Sequence, residues 1–340
     1  MTTRQQIQEI PGALRSTFEK ARAEFGKVVK KVRWGDGPVL VCGEGNCAGL
    51  GHAATYAFES FAGWPVIARP SEVFQTYALP LLKQRSVLIV ISAAGEAPEV
   101  QELVETAKRR GSVIVALTNV PESTLAKSAD HLLLTHAEGA PDSPAVTACL
   151  HAALNFLAFE AARLLKRPEP QWVQVAEEFA QLPEKIEWLF TQLPAMIRSM
   201  AVEVAKRPRL TIVGGGFYEF PASWATLKLP FAAQRSVRLV EVTEFSGAID
   251  FLAQQGDDVL FVSGSHSKLR KLIHRGAEQA RANGARVLSL TDGNDRQLVE
   301  ASDLGLLVPP FLEAPASTLA LFMLQWLAAE RHRTISHPPA

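Results

Sequence analysis

Cysteine is scarce: Cys42, Cys47 and Cys149 are the three in 340 residues, an odd number without metal-ligand spacing. Neither a disulfide framework nor a zinc site is indicated, and a reducing cytoplasm suits such a chain. Net charge is missing as well. Lysine plus arginine and aspartate plus glutamate both number 35, so nothing global attracts nucleic acid or an anionic membrane, and an anionic ligand has to be held locally. Long apolar runs are also lacking. Met1 to Gln6 has no signal-like core, and the apolar stretch from Thr318 to Ala329 is interrupted by Gln325 and too short to cross a bilayer. The expectation is a soluble, cytoplasmic protein that binds neither nucleic acid nor membrane and uses no metal or other cofactor.

What the chain does have is ordinary globular composition, 47% hydrophobic and 21% charged, in a length that suits two domains. It also repeats itself. Pro38-Val-Leu-Val-Cys-Gly-Glu-Gly45 and Arg209-Leu-Thr-Ile-Val-Gly-Gly-Gly216 are both apolar runs closed by glycine, 171 residues apart. Ser86-Val-Leu-Ile-Val-Ile-Ser92 and Asp257-Asp-Val-Leu-Phe-Val-Ser263 keep that offset, each closed by serine. Gly111 to Asn119 then matches Gly284 to Asp292, and Ala129-Asp130 matches Ser302-Asp303, at an offset of 173 that a two-residue insertion explains. Three strand positions held in register point to an internal duplication.

Within each half, runs of Val, Ile and Leu alternate with helical stretches such as Ala97 to Arg110 and Lys268 to Asn283. Strands apolar at successive positions are buried on both faces, the mark of a parallel sheet covered by helices. The fold class expected is therefore α/β, two open parallel sheets flanked by helices. Leu165-Lys-Arg-Pro-Glu-Pro170 reads as a helix end, which places one domain at 1–168 and a second, with leading helices, at 169–340.

Ligands of such sheets sit at the carboxyl ends of the strands. Four loops qualify: Gly43 to Cys47, Ser92 to Ala97, Gly214 to Glu219 and Ser263 to Lys268. A small-residue turn between a strand and a helix offers free backbone N–H groups and the positive end of a helix dipole, a seat for phosphate. Ser263, Ser265 and Ser267, with Lys268 as counter-charge, are the better-equipped cradle; the first half has only Ser92, although serine and glycine also serve there as plain turn and cap residues. The glycines of Gly43-Glu-Gly-Asn-Cys-Ala-Gly49 also suggest a dinucleotide fingerprint, but the next strand, Pro65 to Pro70, ends without the acidic residue that holds a ribose.

Several motifs resemble the tandem sugar isomerase (SIS) domain family, in particular the isomerase half of glucosamine-6-phosphate synthase and related deglycases. Ile7-Gln-Glu-Ile-Pro11 is similar to the family's opening Ile-x-Glu-Gln-Pro, and Phe58-Glu-Ser-Phe-Ala-Gly63 followed by Pro70-Ser-Glu72 to its Phe-Glu-x-x-x-Gly and Ser-Glu-Phe. Thr118 to Asp130 resembles Asn-x-x-x-Ser-x-Leu-x-x-x-Ser-Asp. The resemblance implies two flavodoxin-like domains, a sugar-phosphate ligand, a phosphosugar isomerase or deglycase activity in carbohydrate metabolism, and a homodimer.

The chain departs from the family where the chemistry lies. The phosphate loop Ser-x-Ser-Gly-x-Thr falls on Ser92-Ala-Ala-Gly95-Glu96-Ala97, and the Thr-Ser after the first strand becomes Glu44-Gly45. Isomerisation needs a base that moves a proton between adjacent carbons and a group that opens the ring. The family's glutamate aligns with Phe231 and its histidine with Ser246, and no lysine follows Lys271. Glu44, Glu219, Glu241 and Glu244 are substitute carboxylates, Glu44 and Glu244 being the candidate bases, and His266 the candidate ring-opening group. Gly45, Asn46, Ser92, Gly95, Glu96, Ser263, Ser265 and Ser267 are the candidate ligand-binding positions. Two functions follow: an isomerase or deglycase with a non-standard residue set, or a non-catalytic sugar-phosphate sensor.

Overall fold

The apolar runs become strands, because only a sheet covered on both faces can bury consecutive side chains. In a computed structural model that describes residues 4–164, 171–204, 206–229 and 236–336, the first five strands are β1 (Val39–Gly43), β2 (Val66–Pro70), β3 (Val87–Ile91), β4 (Val113–Thr118) and β5 (His131–Leu134). They form one parallel sheet in the order β2-β1-β3-β4-β5. The second five are β6 (Arg209–Gly214), β7 (Ser236–Glu241), β8 (Asp258–Val262), β9 (Arg286–Asp292) and β10 (Leu304–Val308). Their sheet, again parallel, runs β10-β9-β8-β6-β7, the same order read from the other edge. Every residue of β1, β3 and β8 is buried. The expected α/β architecture of two helix-flanked sheets is thus the observed one. Phe231 and the helix end read at 165–170 lie outside the described residues.

The duplication extends to individual hydrogen bonds. Asp130 Oδ2 accepts the Ile114 N–H at 2.8 Å, and Asp303 Oδ2 accepts the Val287 N–H at 2.8 Å. The N–H groups of Ser92 and Ser263 donate to Leu117 O and Leu290 O, each at 3.1 Å. Each aspartate ties the start of a strand to the loop that precedes its neighbour, a job that a carboxylate acceptor does twice in two related frames.

Contacts divide the chain into two units, Glu9–Ala180 and Met1–Gln8 with Gln181–Ala340. The sequence placed the boundary at 168. Residues beyond that point join the first unit because aromatic packing holds them there: Trp172 meets Phe159 with centroids 5.2 Å apart, and Phe179 meets Phe156 at 5.6 Å. The short helix Arg4–Gln8 belongs to the other unit, packed on helix Glu313–Ser336 with Ile7 fully buried.

Helix Pro144–Leu164 is long and apolar enough to cross a membrane, a feature the reading of apolar runs passed over, yet its residues from Pro144 to Ala162 are all buried. It packs on helix Ile10–Lys31, with Phe156 against Phe18 and Phe25. Its His151 is held neutral, burial pushing the imidazole down to about 3.

Because Asp130 and Asp303 serve separate units, their losses should add. Asp130→Ala and Asp303→Ala are each expected to cost about 1 kcal/mol, and the double variant their sum, measured by denaturant unfolding. A negligible change in either would show that water replaces the carboxylate there.

Candidate functional site

In each sheet the strand order reverses beside the first strand of the unit, between β1 and β3 and between β6 and β8, and such a switch point opens a crevice at the carboxyl ends. In the first unit that crevice brings together Glu44, Ser92 and Gly95. A side chain at Gly43 would stand 2.7 Å from Ile91 O and 2.8 Å from Cys47, so the chain can close tightly over β3 only with glycine there. Ser92 Oγ donates to Glu44 Oε1 at 2.7 Å and accepts the Gly95 N–H at 3.0 Å. Gly95 has φ +72°, and a Cβ there would lie 2.3 Å from Ser123 Oγ, so the turn itself requires glycine.

Glu44 Oε2 is buried and has no hydrogen-bond partner among the described residues. Its carboxyl is raised above the usual carboxylate range, first by burial and then by the negative charges of Glu99 and Glu72, against the opposing bond from Ser92. Gly45 and Asn46 adjoin it, Asn46 opening helix Asn46–Ala57. Glu96 is turned elsewhere: its carboxylate accepts the Thr124 N–H at 2.9 Å and the Thr124 hydroxyl at 2.7 Å, which lowers its pKa. The thiols of Cys42 and Cys47 are pushed up to about 12 by burial and are not thiolate nucleophiles at neutral pH.

The second unit uses its serine loop differently from a free cradle. The Ser265 N–H donates to Asp292 Oδ2 at 2.7 Å, and the Lys268 N–H to Glu313 Oε1 at 3.0 Å. Two donors that would face an anion are therefore bound by carboxylates. Ser267 Oγ accepts the Leu269 N–H at 3.2 Å. The hydroxyls of Ser263, Ser265 and Tyr218 are buried without a partner among the described residues. Burial, with Glu313, Asp292 and Asp295 nearby, raises the Tyr218 phenol well above its ordinary value and keeps it protonated. His266 is exposed on the same loop, beside Glu313, whose carboxyl burial raises above the usual carboxylate range.

Glu244 and Ser246 lie on the exposed side of helix Val242–Leu252, where the Ser246 hydroxyl donates to Val242 O at 3.0 Å. Glu241 caps that helix by accepting the Thr243 N–H at 2.7 Å. Sequence reasoning missed Asp292, Glu313 and Tyr218. The one available signal was position: Asp292 ends its strand at the place where Asn119 directly follows the matching strand of the first half.

Comparison with known proteins gives this geometry a context. Residues 37–161 match the SIS domain family. A glutamine–fructose-6-phosphate aminotransferase (isomerizing) of Caldanaerobacter subterraneus is 26% identical over 295 residues, 85% of this chain and 47% of that protein. One from Synechocystis is 27% identical over 328 residues, 88% of this chain and 49% of that protein. The chain spans about half the length of the curated relatives it matches. Among solved structures, the C-terminal domain of the glucosamine-fructose-6-phosphate aminotransferase of Francisella tularensis superposes with a TM-score of 0.86 at 18% identity, covering 97% of this chain and 95% of that one. The tagatose-6-phosphate ketose/aldose isomerase of Escherichia coli gives 0.79 at 17% identity, covering 100% and 94%. At such identities the superpositions establish the fold.

Burial penalises ionised Glu44 in the folded chain, so protonation favours the fold and stability falls as pH rises through the raised pKa. Glu44→Gln is expected to melt higher than the parent, with an advantage that grows as pH rises above the ordinary carboxylate pKa and levels off once the raised pKa of Glu44 is passed. Thermal melts across that range check it; an advantage that does not change with pH would assign the effect to something other than ionisation.

Proposed function

We propose that this chain, whose residues 37–161 match the SIS domain family, binds a carbohydrate derivative at the carboxyl edge of its first sheet without the family's isomerisation step, as a sensor or regulatory protein. The observation that carries the reading is the 2.7 Å bond from Ser92 to Glu44: the one hydroxyl left in the phosphate-loop sequence is engaged by the chain's own carboxylate. Two further features support it. Phe231, at the position of the family's base, has no proton to exchange, and the Ser246 hydroxyl, at the position of its histidine, is spent on a helix carbonyl. A homodimer, as the family resemblance implies, and a cytoplasmic location, as the scarce cysteines suggest, are part of the same proposal.

A second reading is favoured by one observation. A carboxyl raised by burial at a switch point is tuned towards general-base work, and an isomerase or deglycase with Glu44 as base would use it. His266, exposed on the other unit's loop, has no comparable geometry to recommend it.

Thermal-shift titration with fructose 6-phosphate, glucosamine 6-phosphate, glucosamine and glucose, followed by NMR of each mixture, separates the two. A ligand at ~100 times its Kd stabilises a fold by about 2.7 kcal/mol, so at least one carbohydrate is expected to raise the melting temperature, with no interconversion. Turnover abolished by Glu44→Gln would establish the enzyme instead. No stabilisation by any of the four would remove both.

A further inference from the structure

A seat for phosphate at a strand-to-helix turn works by presenting unspent donors in a positive local field. In the first-unit seat the serine hydroxyl and the N–H of the central glycine are already spent within the chain. The Ser92 proton is given to Glu44 Oε1, and the Gly95 N–H is given to Ser92 Oγ. The loop's other polar side chain, Glu96, is bound to Thr124. Around Glu44 the acting charges are those of Glu72 and Glu99, and among the described residues no lysine or arginine forms an ion pair with it.

Resting on the carbohydrate-binding reading above, we propose that Glu44 is a specificity-determining residue: its carboxylate occupies the anion seat beside Ser92, so that the first unit rejects a phosphate group there and takes a sugar whose nearest groups donate hydrogen bonds. The carboxylate supplies, from within the chain, the acceptor oxygens that a ligand phosphate would bring. An arriving dianion would have to displace it from Ser92 and then sit among three like charges. A hydroxyl or an amino group meets no such opposition, because Oε2 is an acceptor without a donor. The two donor sources differ in charge, and pairing glucosamine with glucose tells them apart.

Calorimetric titration of the full chain with inorganic phosphate, glucosamine 6-phosphate, glucosamine and glucose tests this, with the parent, Glu44→Ser and Glu44→Gln side by side. Glu44→Ser clears the seat and restores a hydroxyl; Glu44→Gln keeps the shape and removes the charge, and serves if the serine variant does not fold. The parent should show no heat with inorganic phosphate and prefer glucosamine or glucose to glucosamine 6-phosphate by at least tenfold. Either variant should bind inorganic phosphate at least tenfold tighter than the parent. A parent that binds inorganic phosphate as tightly as the variants, or variants that gain nothing, overturns the assignment. If no sugar binds any of the three while phosphate still separates them, the carbohydrate reading fails and the role of Glu44 stands.

Discussion

Parallel pairing of β1 on both of its edges, with β2 on one side and β3 on the other, is the constraint from which the rest follows. Parallel neighbours need crossovers, the crossovers are helices, and connections that leave a central strand in opposite directions run over opposite faces of the sheet. Both faces are then covered, and every position of β1 and β3 must be apolar or small, as each is. At the point of divergence the loops after β1 and β3 meet, joined by the Ser92–Glu44 bond. The meeting of Glu44 with Ser92 is a product of topology, since the two residues are 48 apart in the chain.

That separation explains what could be read from the sequence. Strand runs, their spacing and the offsets of 171 and 173 are local or periodic, and they yielded the fold class, the two sheets and the loops in which to look. Contacts between distant segments left no such trace. Asp292 and Glu313 reach the serine loop from a neighbouring strand end and from the start of the last helix, so Ser263 to Lys268 read as an open cradle when two of its N–H groups are already taken. A proline-rich helix end near 168 is visible in a sequence, but aromatic packing of Trp172 on Phe159, which carries the first unit on to Ala180, is not.

The two halves have kept their frames and changed their loops. Asp130 and Asp303 make the same bond, as do the backbones of Ser92 and Ser263. At the carboxyl ends the similarity is one of chemistry only. Each switch loop directs a hydrogen-bond donor to a carboxylate of its own unit, Ser92 to Glu44 in one and Ser265 to Asp292 in the other. A hydrogen-bonded carboxylate is among the stronger acceptors a protein can supply, and each loop has one of its donors satisfied this way.

Helix Pro144–Leu164 carries a consequence for biosynthesis. Its cover, helix Ile10–Lys31, is more than a hundred residues earlier in the chain, so the ribosome delivers the cover first and the apolar rod long afterwards. Until the two meet, the nascent chain displays a segment with the length and hydropathy of a bilayer span. Non-local partners of this kind slow folding and lengthen the exposure of sticky surface. Charge introduced along that helix is therefore expected to act on cellular yield before it acts on any ligand.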